Sequence, residues 1–206
     1  ELMRLMTTAK RLFDVVFCLL LIPIIGIPYI FIALTIKLSS KGPIHYLGIR
    51  AGMNATTFRI FKFRTMVVNA ESAGGGTTAL NDPRILPFGR GLRRFKLDEL
   101  PQIFNVLRGE MSLVGPRPEL PQYTSLYEAE EKLILSVKPG ITDYSSIRFS
   151  SLDEIVGDQN ADEQFERLVL GEKNTLRLKY VKDSSLFVDI KILFLTAWCV
   201  IKKIFN

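Results

Sequence analysis

Histidine occurs once in this 206-residue chain, at His45, and cysteine twice, at Cys18 and Cys199. A single histidine leaves no room for a His-based nucleophilic triad of the usual kind, an HExxH zinc site or a multi-histidine metal centre. Two cysteines outside any CxxC or Cys/His spacing exclude a disulfide scaffold, and their apolar surroundings mark them as packing residues. A metal bound here would therefore be hard and held by oxygen, which means magnesium or manganese. Gly74-Gly75-Gly76 is no P-loop, because no Gly-Lys-Ser/Thr follows it. The chain also lacks internal repeats, a low-complexity tail, and any helix-turn-helix or zinc-finger signature.

Apolar residues make up 48% of the chain although 23% is charged, and they gather at the two ends. Val15–Ile36 carries no charge and is bounded by Asp14 and Lys37. As a straight helix this run would span about 33 Å, close to the hydrocarbon thickness of a bilayer. Pro23, Gly26 and Pro28 interrupt its middle, where proline removes a backbone hydrogen bond. Both flanks are basic, with Arg4, Lys10 and Arg11 before and Lys37, Lys41 and Arg50 after. A single span would leave one cluster on the wrong face, whereas a re-entrant helix entering and leaving by one leaflet satisfies both. A kinked span is the alternative. Near the other end, Ser185–Phe205 is apolar at helical spacing but broken by Asp189, Lys191, Lys202 and Lys203. That pattern suits a helix in the membrane interface with Trp198 near the headgroups, or equally a helix packed on the core.

Charge is unevenly shared. Residues 37–108 hold twelve basic side chains against four acidic, while the chain as a whole is +6. A cationic block beside a membrane element points to anionic lipid or a phosphate substrate ahead of nucleic acid.

Ile44–Tyr46 and Thr57–Phe63 read as a small hairpin around Gly48, Gly52 and Asn54, and Asn69–Pro83 as a mobile loop. Helices are expected over Leu97–Leu107, Pro121–Ser136 and Glu163–Lys182, with a turn at Pro139-Gly140 leading into a short extended stretch. The organisation is an N-terminal membrane segment (1–40), a cytosolic domain (41–184) and a C-terminal interface helix (185–206) of the same domain. The fold class is α+β, mostly helical.

The densest chemistry lies in Asp82–Pro118, DPRILPFGRGLRRFKLDELPQIFNVLRGEMSLVGPRP. Pro101 sits three residues after Asp98, which predicts a helix start with Asp98 near the N-cap and Glu99 in the first turn. Arg90, Arg93, Arg94 and Lys96 precede it and would attract an anion. An ordinary capped helix explains the same letters. In Gly115-Pro116-Arg117-Pro118 two prolines fix the backbone around an arginine, presenting it to phosphate or carboxylate, or simply forming a surface turn.

The run LDELPQIFNVLRGEMSLVGPRP, with DPRI and GRGLRR before it, closely resembles the bacterial sugar transferase family, the monotopic polyprenyl-phosphate phosphoglycosyl transferases. KRLFD at Lys10–Asp14, Arg50 and Gly52, FKFRTM at Phe61–Met66 and KPGIT at Lys138–Thr142 extend the resemblance over nearly the whole chain. It implies transfer of a sugar-1-phosphate from a UDP-sugar to undecaprenyl phosphate with release of UMP, on the cytosolic face of the bacterial inner membrane. It further implies Asp98 as a nucleophile forming a covalent phosphosugar intermediate, and Glu99 holding Mg²⁺ with it. Lys62, Arg93 and Arg117 would contact phosphate. Membrane lipid is the expected partner, nucleic acid is not, and a homo-oligomer is compatible.

Departures from the family pattern are also present. No Ser-Pro occurs at the helix break, where Gly26 and Pro28 stand alongside; Gly48 replaces a glutamine; and Asp143-Tyr144-Ser145-Ser146 replaces Gly-Trp-Ala-Gln. An inactive membrane scaffold of the same fold and a magnesium-dependent hydrolase of nucleotide-diphosphate sugars are the competing functions. The chain begins at Glu1 rather than methionine, as a trimmed tag or a piece of a longer protein with extra N-terminal spans would.

Overall fold

A computed structural model describes residues 2–70, 76–79 and 81–205. The expected mobile loop at Asn69–Pro83 therefore falls partly outside the described residues. Helix α1 runs over Leu2–Ser39 with Pro23 and Pro28 inside it, and from Thr8 onward it is long and apolar enough to cross a membrane.

One stripe of α1 is buried. Asp14, Cys18, Leu21, Ile25, Tyr29, Ile32 and Ile36 recur three or four residues apart and pack on the rest of the protein. Leu20, Ile24, Ile27, Ile30 and Phe31 are 61–79% exposed on the opposite side. Lys10 and Arg11 of its first half do not simply face lipid headgroups. Lys10 pairs with Asp189 and donates to the Val114 carbonyl at 2.9 Å, while Arg11 donates to the Val106 and Leu107 carbonyls.

The hairpin forms as expected but with a longer first strand. β1 (His45–Ala51) pairs antiparallel with β2 (Thr57–Phe63), joined by a tight 3-10 turn in which Asn54 and Ala55 have positive φ. After α2 (Pro87–Arg94), the helix expected over Leu97–Leu107 is split. Pro101 has no N–H to offer the Leu97 carbonyl, which Leu100 N bonds instead. The result is a 3-10 turn at Leu97–Glu99 followed by α3, Gln102–Arg108. Asp98 is accordingly not an N-cap: Lys96 precedes the turn, Pro101 precedes α3, and neither end has a side-chain cap bond.

β3 (Ser112–Val114) and β4 (Gly140–Thr142) form a parallel pair. Their junction requires glycine, since a Cβ on Gly140 would lie 2.0 Å from the Gly115 nitrogen. The expected Pro121–Ser136 helix is also broken, into α4 (Pro121–Thr124) and a 3-10 run over Ala129–Ser136. Glu128 and Glu131 form a capping box that starts the second piece, and Glu131 is held at long range by Asn174 Nδ2 at 3.0 Å.

Short helices α5 (Tyr144–Arg148) and α6 (Leu152–Val156) lead to a continuous helical run, α7 (Ala161–Phe165), a π segment (Glu166–Leu170) and α8 (Gly171–Asp183). The last helix, α9 (Leu186–Phe205), buries Asp189 and Ile192 and exposes Phe187, Phe194, Trp198 and Phe205. The main core joins Cys18, Ile60, Ile103, Val106, Met111, Leu113, Val114, Tyr180 and Ile192. α1, β2, α3, β3, α8 and α9 thus share one interior, and the molecule is mostly helical with a small sheet.

Candidate active site

The Leu97–Glu99 turn holds the acidic pair where α2, β2 and the loop after β3 converge. Lys96 turns the chain into it with a left-handed backbone (φ 58°), an uncommon conformation for a side chain with a Cβ. Asp98 and Glu99 are both buried. Lys62, near the end of β2, donates to Glu99 Oε1 at 2.9 Å, and Arg117 pairs with the same oxygen.

Arg117 is held from three sides. Its Nη1 donates to the Ile141 carbonyl at 3.0 Å, its backbone N–H to Asp143 Oδ2 at 3.1 Å, and its neighbour Gly115 is locked against Gly140. Arg93, on α2, forms no ion pair among the described residues, yet its charge acts on Asp98 and on Asp82. Lys62, Asp98, Glu99 and Arg117 thus come together as the motifs implied, with Arg93 alongside.

The two carboxylates are electrostatically unequal. Burial pushes the Asp98 carboxyl above the usual aspartate range, against the pull of Lys62. Burial acts the same way on Glu99, but Arg117 and Lys62 outweigh it and hold Glu99 well below the usual range. Burial pulls the Lys62 ammonium down, with Glu99 opposing. Glu99 is therefore a fixed anion that organises two cations. Asp98 is the member left with an unused oxygen, because its Oδ1 is sealed from solvent without a hydrogen-bond partner.

That orphaned oxygen beside a second carboxylate suits a hard divalent cation. Among the described residues no group of three or more His, Cys, Asp or Glu converges, so oxygens from outside the protein would have to complete a magnesium shell.

Three further residues belong to this region, two of them unremarked in the sequence and the third, Asp143, noted there only as a departure from the family pattern. Asn105 of α3 is fully buried and spans the strand edge, accepting from Phe61 N at 2.9 Å and donating to the Arg59 carbonyl at 2.8 Å. It sets the register of β2, and hence of Lys62, against the acidic turn. Asp143 caps α5 through Ser146 N, accepts from both Ser145 and Ser146 hydroxyls, and steadies Arg117. Gln102, the first residue of α3, is fully buried and neither of its amide atoms has a partner. The available signal was two carboxamides three residues apart in a helix that is otherwise apolar up to Arg108.

A family model described as "Bacterial sugar transferase" matches residues 5–203. The chain is 41% identical over 194 residues to an undecaprenyl-phosphate glucose phosphotransferase of Komagataeibacter xylinus, covering 91% of this chain and 35% of that protein. It is 38% identical over 193 residues to the UDP-glucose:undecaprenyl-phosphate glucose-1-phosphate transferase of Escherichia coli (strain K12), at 92% and 39% coverage. An uncharacterized sugar transferase, EpsL, of Bacillus subtilis (strain 168) is 34% identical over 187 residues, at 91% and 84%. The chain spans between a third and two fifths of the first two relatives and most of the third. With a match running almost end to end and its motif residues gathered around one buried acidic pair, the chain belongs to the bacterial sugar transferase family.

Proposed function

We propose that this chain transfers a sugar-1-phosphate from a UDP-sugar to undecaprenyl phosphate, releasing UMP, at the cytosolic face of the bacterial inner membrane. The observation that carries the reading is the split acidic pair: Glu99 neutralised by Lys62 and Arg117, Asp98 sealed beside it with a free oxygen. The names of the relatives, which include UDP-glucose and UDP-N-acetylgalactosamine transferases, support a UDP-sugar donor and leave the sugar open.

A diphosphate repels an attacking carboxylate until its charge is compensated. Arg93, with no ion-pair partner among the described residues, and the Lys62–Arg117 pair supply that compensation. Asp98 then attacks the β-phosphorus, the bond to the UMP oxygen breaks, and UMP leaves with the electron pair. The sugar phosphate stays on Asp98 until the lipid phosphate displaces it and restores the carboxylate. Magnesium, held by Asp98 and Glu99, would supply further charge neutralisation on the diphosphate.

α1 supports a reading of the membrane arrangement. A straight helix crossing about 30 Å of hydrocarbon cannot keep Asp14 and Ile36 packed on the same domain. The buried stripe along α1, one continuous helix, therefore supports both ends lying on one side of the bilayer. A re-entrant course would need α1 to bend at Pro23 and Pro28, and the exposed apolar face of α9 supports an interfacial position.

The test is UMP release with Mg²⁺ across UDP-glucose, UDP-galactose and their N-acetylated forms, with and without undecaprenyl phosphate. Lipid-dependent release, abolished in Asp98→Asn with the fold intact, is the expected result. Sustained release without lipid identifies a hydrolase instead, and Asp98→Asn with retained turnover removes Asp98 as the nucleophile.

A further inference from the structure

Two cations converge beside the end of α3 with no carboxylate between them. Gly109 closes that helix with a left-handed backbone (φ 80°), and a Cβ built there would lie 3.6 Å from Lys138 Nζ and 3.7 Å from Arg11 Nη2. Both nitrogens thus come within 4 Å of one point that glycine leaves open. Charge-assisted hydrogen bonds to phosphate run about 2.7–2.9 Å, and a phosphate presents several oxygens, so one such group placed there reaches both.

No carboxylate nearby is free to neutralise the pair. Among the described residues Lys138 forms no ion pair, and its side chain makes no hydrogen bond. Burial and then the Arg11 charge pull its ammonium down, and Asp14 alone opposes them. Asp14 is committed to β3, where its Oδ1 accepts from the Ser112 hydroxyl and from Leu113 N, both at 3.1 Å. Glu110, next to Gly109 in the chain, accepts from Asn105 Nδ2 at 2.7 Å, and Asp189 is paired with Lys10. Arg11 is held in place by its bonds to the Val106 and Leu107 carbonyls, yet a guanidinium has five N–H donors and these bonds use two.

The surroundings say what kind of phosphate fits. Leu12 stands beside Arg11 and is 65% exposed, followed on the same face of α1 by Val16 at 46% and Leu19 at 57%. The cationic pair therefore sits where the exposed apolar side of α1 begins, which is headgroup depth for a helix that enters a bilayer. Two cations against the one committed carboxylate of Asp14 leave a single positive charge, the complement of a phosphodiester.

We propose that Arg11 and Lys138 bracket the phosphodiester of a membrane glycerophospholipid, with its acyl chains lying along Leu12, Val16 and Leu19. The site shares no residue with Asp98, Glu99, Lys62, Arg93 or Arg117, and it stands whether or not the transfer reaction does. A lipid bound there fastens the first half of α1 and the loop before β4 to the same leaflet.

The test titrates the whole chain in non-ionic detergent with phosphatidylglycerol and, separately, with inorganic phosphate, and counts bound molecules by native mass spectrometry. One phosphatidylglycerol is expected to bind ahead of weaker, unspecific additions. Lys138→Met should weaken that first addition about tenfold, the size of one lost charge-assisted hydrogen bond, and Lys138→Arg should restore it. The melting temperature in detergent should not move, because the lysine has no protein partner to lose. Lys132→Met takes the same charge from an exposed position of the 3-10 run and should leave the first addition as it was. Equal weakening by Lys132→Met means general charge attraction and overturns the proposal, as does a first addition that Lys138→Met leaves untouched. Inorganic phosphate bound as tightly as the lipid, with the same dependence on Lys138, makes this a site for a free anion and overturns the lipid assignment. If Lys138→Met loses stability, Lys138→Gln repeats the measurement; loss in both shows a structural lysine, which also overturns it.

Discussion

Asp98 and Glu99 are consecutive residues of one turn, yet their surroundings push them in opposite directions. Burial raises Asp98, whereas Arg117 and Lys62 overcome burial at Glu99 and keep it ionised far into acid. In the proposed mechanism Asp98 must be ionised to attack, so activity is expected to fail on the acid side at a pH above that of an ordinary aspartate. A pH profile of turnover under saturating donor checks this, and Glu99→Gln should distort it by leaving Lys62 and Arg117 without their anion. Away from the site, Glu119 joins Lys173 at 3.1 Å and Arg177, both buried. Burial pushes Glu119 up, but the two cations outweigh it and depress its carboxyl below the ordinary 4.5. Its folded-state pKa being the lower one, the stabilisation is complete above about 4.5 and drains away as pH falls below it. Glu119→Gln strands two buried cations and should cost about 3–5 kcal/mol in chemical denaturation. Of these residues, the acidic pair stood out in the sequence as a charged turn before Pro101, while Lys62, Arg93 and Arg117 were named through the family resemblance, and the structure gathers them around the pair. Gln102, Asn105 and Asp143 were not legible, since their importance lies in which partner each has or lacks, and those partners come from β2, the Gly115–Arg117 loop and the folded interior.

Elements followed the sequence wherever local pattern and tertiary contact agreed. The hairpin, the run ending at Asp183 and the final helix did so, through alternation in one case and apolar spacing in the others. The two broken helices did not, because backbone chemistry overrode apolar spacing: Pro101 withholds an N–H, and Glu128 with Glu131 caps a fresh start. Basic residues before the apolar run also misled. Arg11 reads as a membrane flank, but it closes the C-terminal end of α3 by bonding the Val106 and Leu107 carbonyls. Since α3 carries Gln102 and Asn105, Arg11→Met should lower stability by about 1–2 kcal/mol, through carbonyls left unpaired and a lost cation at the helix end. Thermal melts of the purified variant read this directly. If Arg11 acted only on lipid, the melt would not move in detergent while membrane partitioning would.

At the scale of the whole molecule, the charge distribution already placed a cationic block beside an apolar segment. What it could not show was that α1 lies along the domain by a single stripe. In intact cells, single cysteines at Leu5 and Lys41, in a Cys18→Ala, Cys199→Ser background, should be shielded from an impermeant maleimide and react only once the membrane is opened. Labelling of one from outside would mean that α1 crosses the bilayer. The Lys10–Asp189 pair adds a constraint in time. Its partners are separated by 179 positions, and Lys10 also donates to the Val114 carbonyl beside the Gly115–Arg117 loop. During translation the first helix leaves the ribosome long before its anionic partner exists, so the central core cannot close until the last helix has emerged. The exposed apolar face of α1 meanwhile lacks the packing that later covers its buried stripe, so the order in which the two helices appear sets when the core can form.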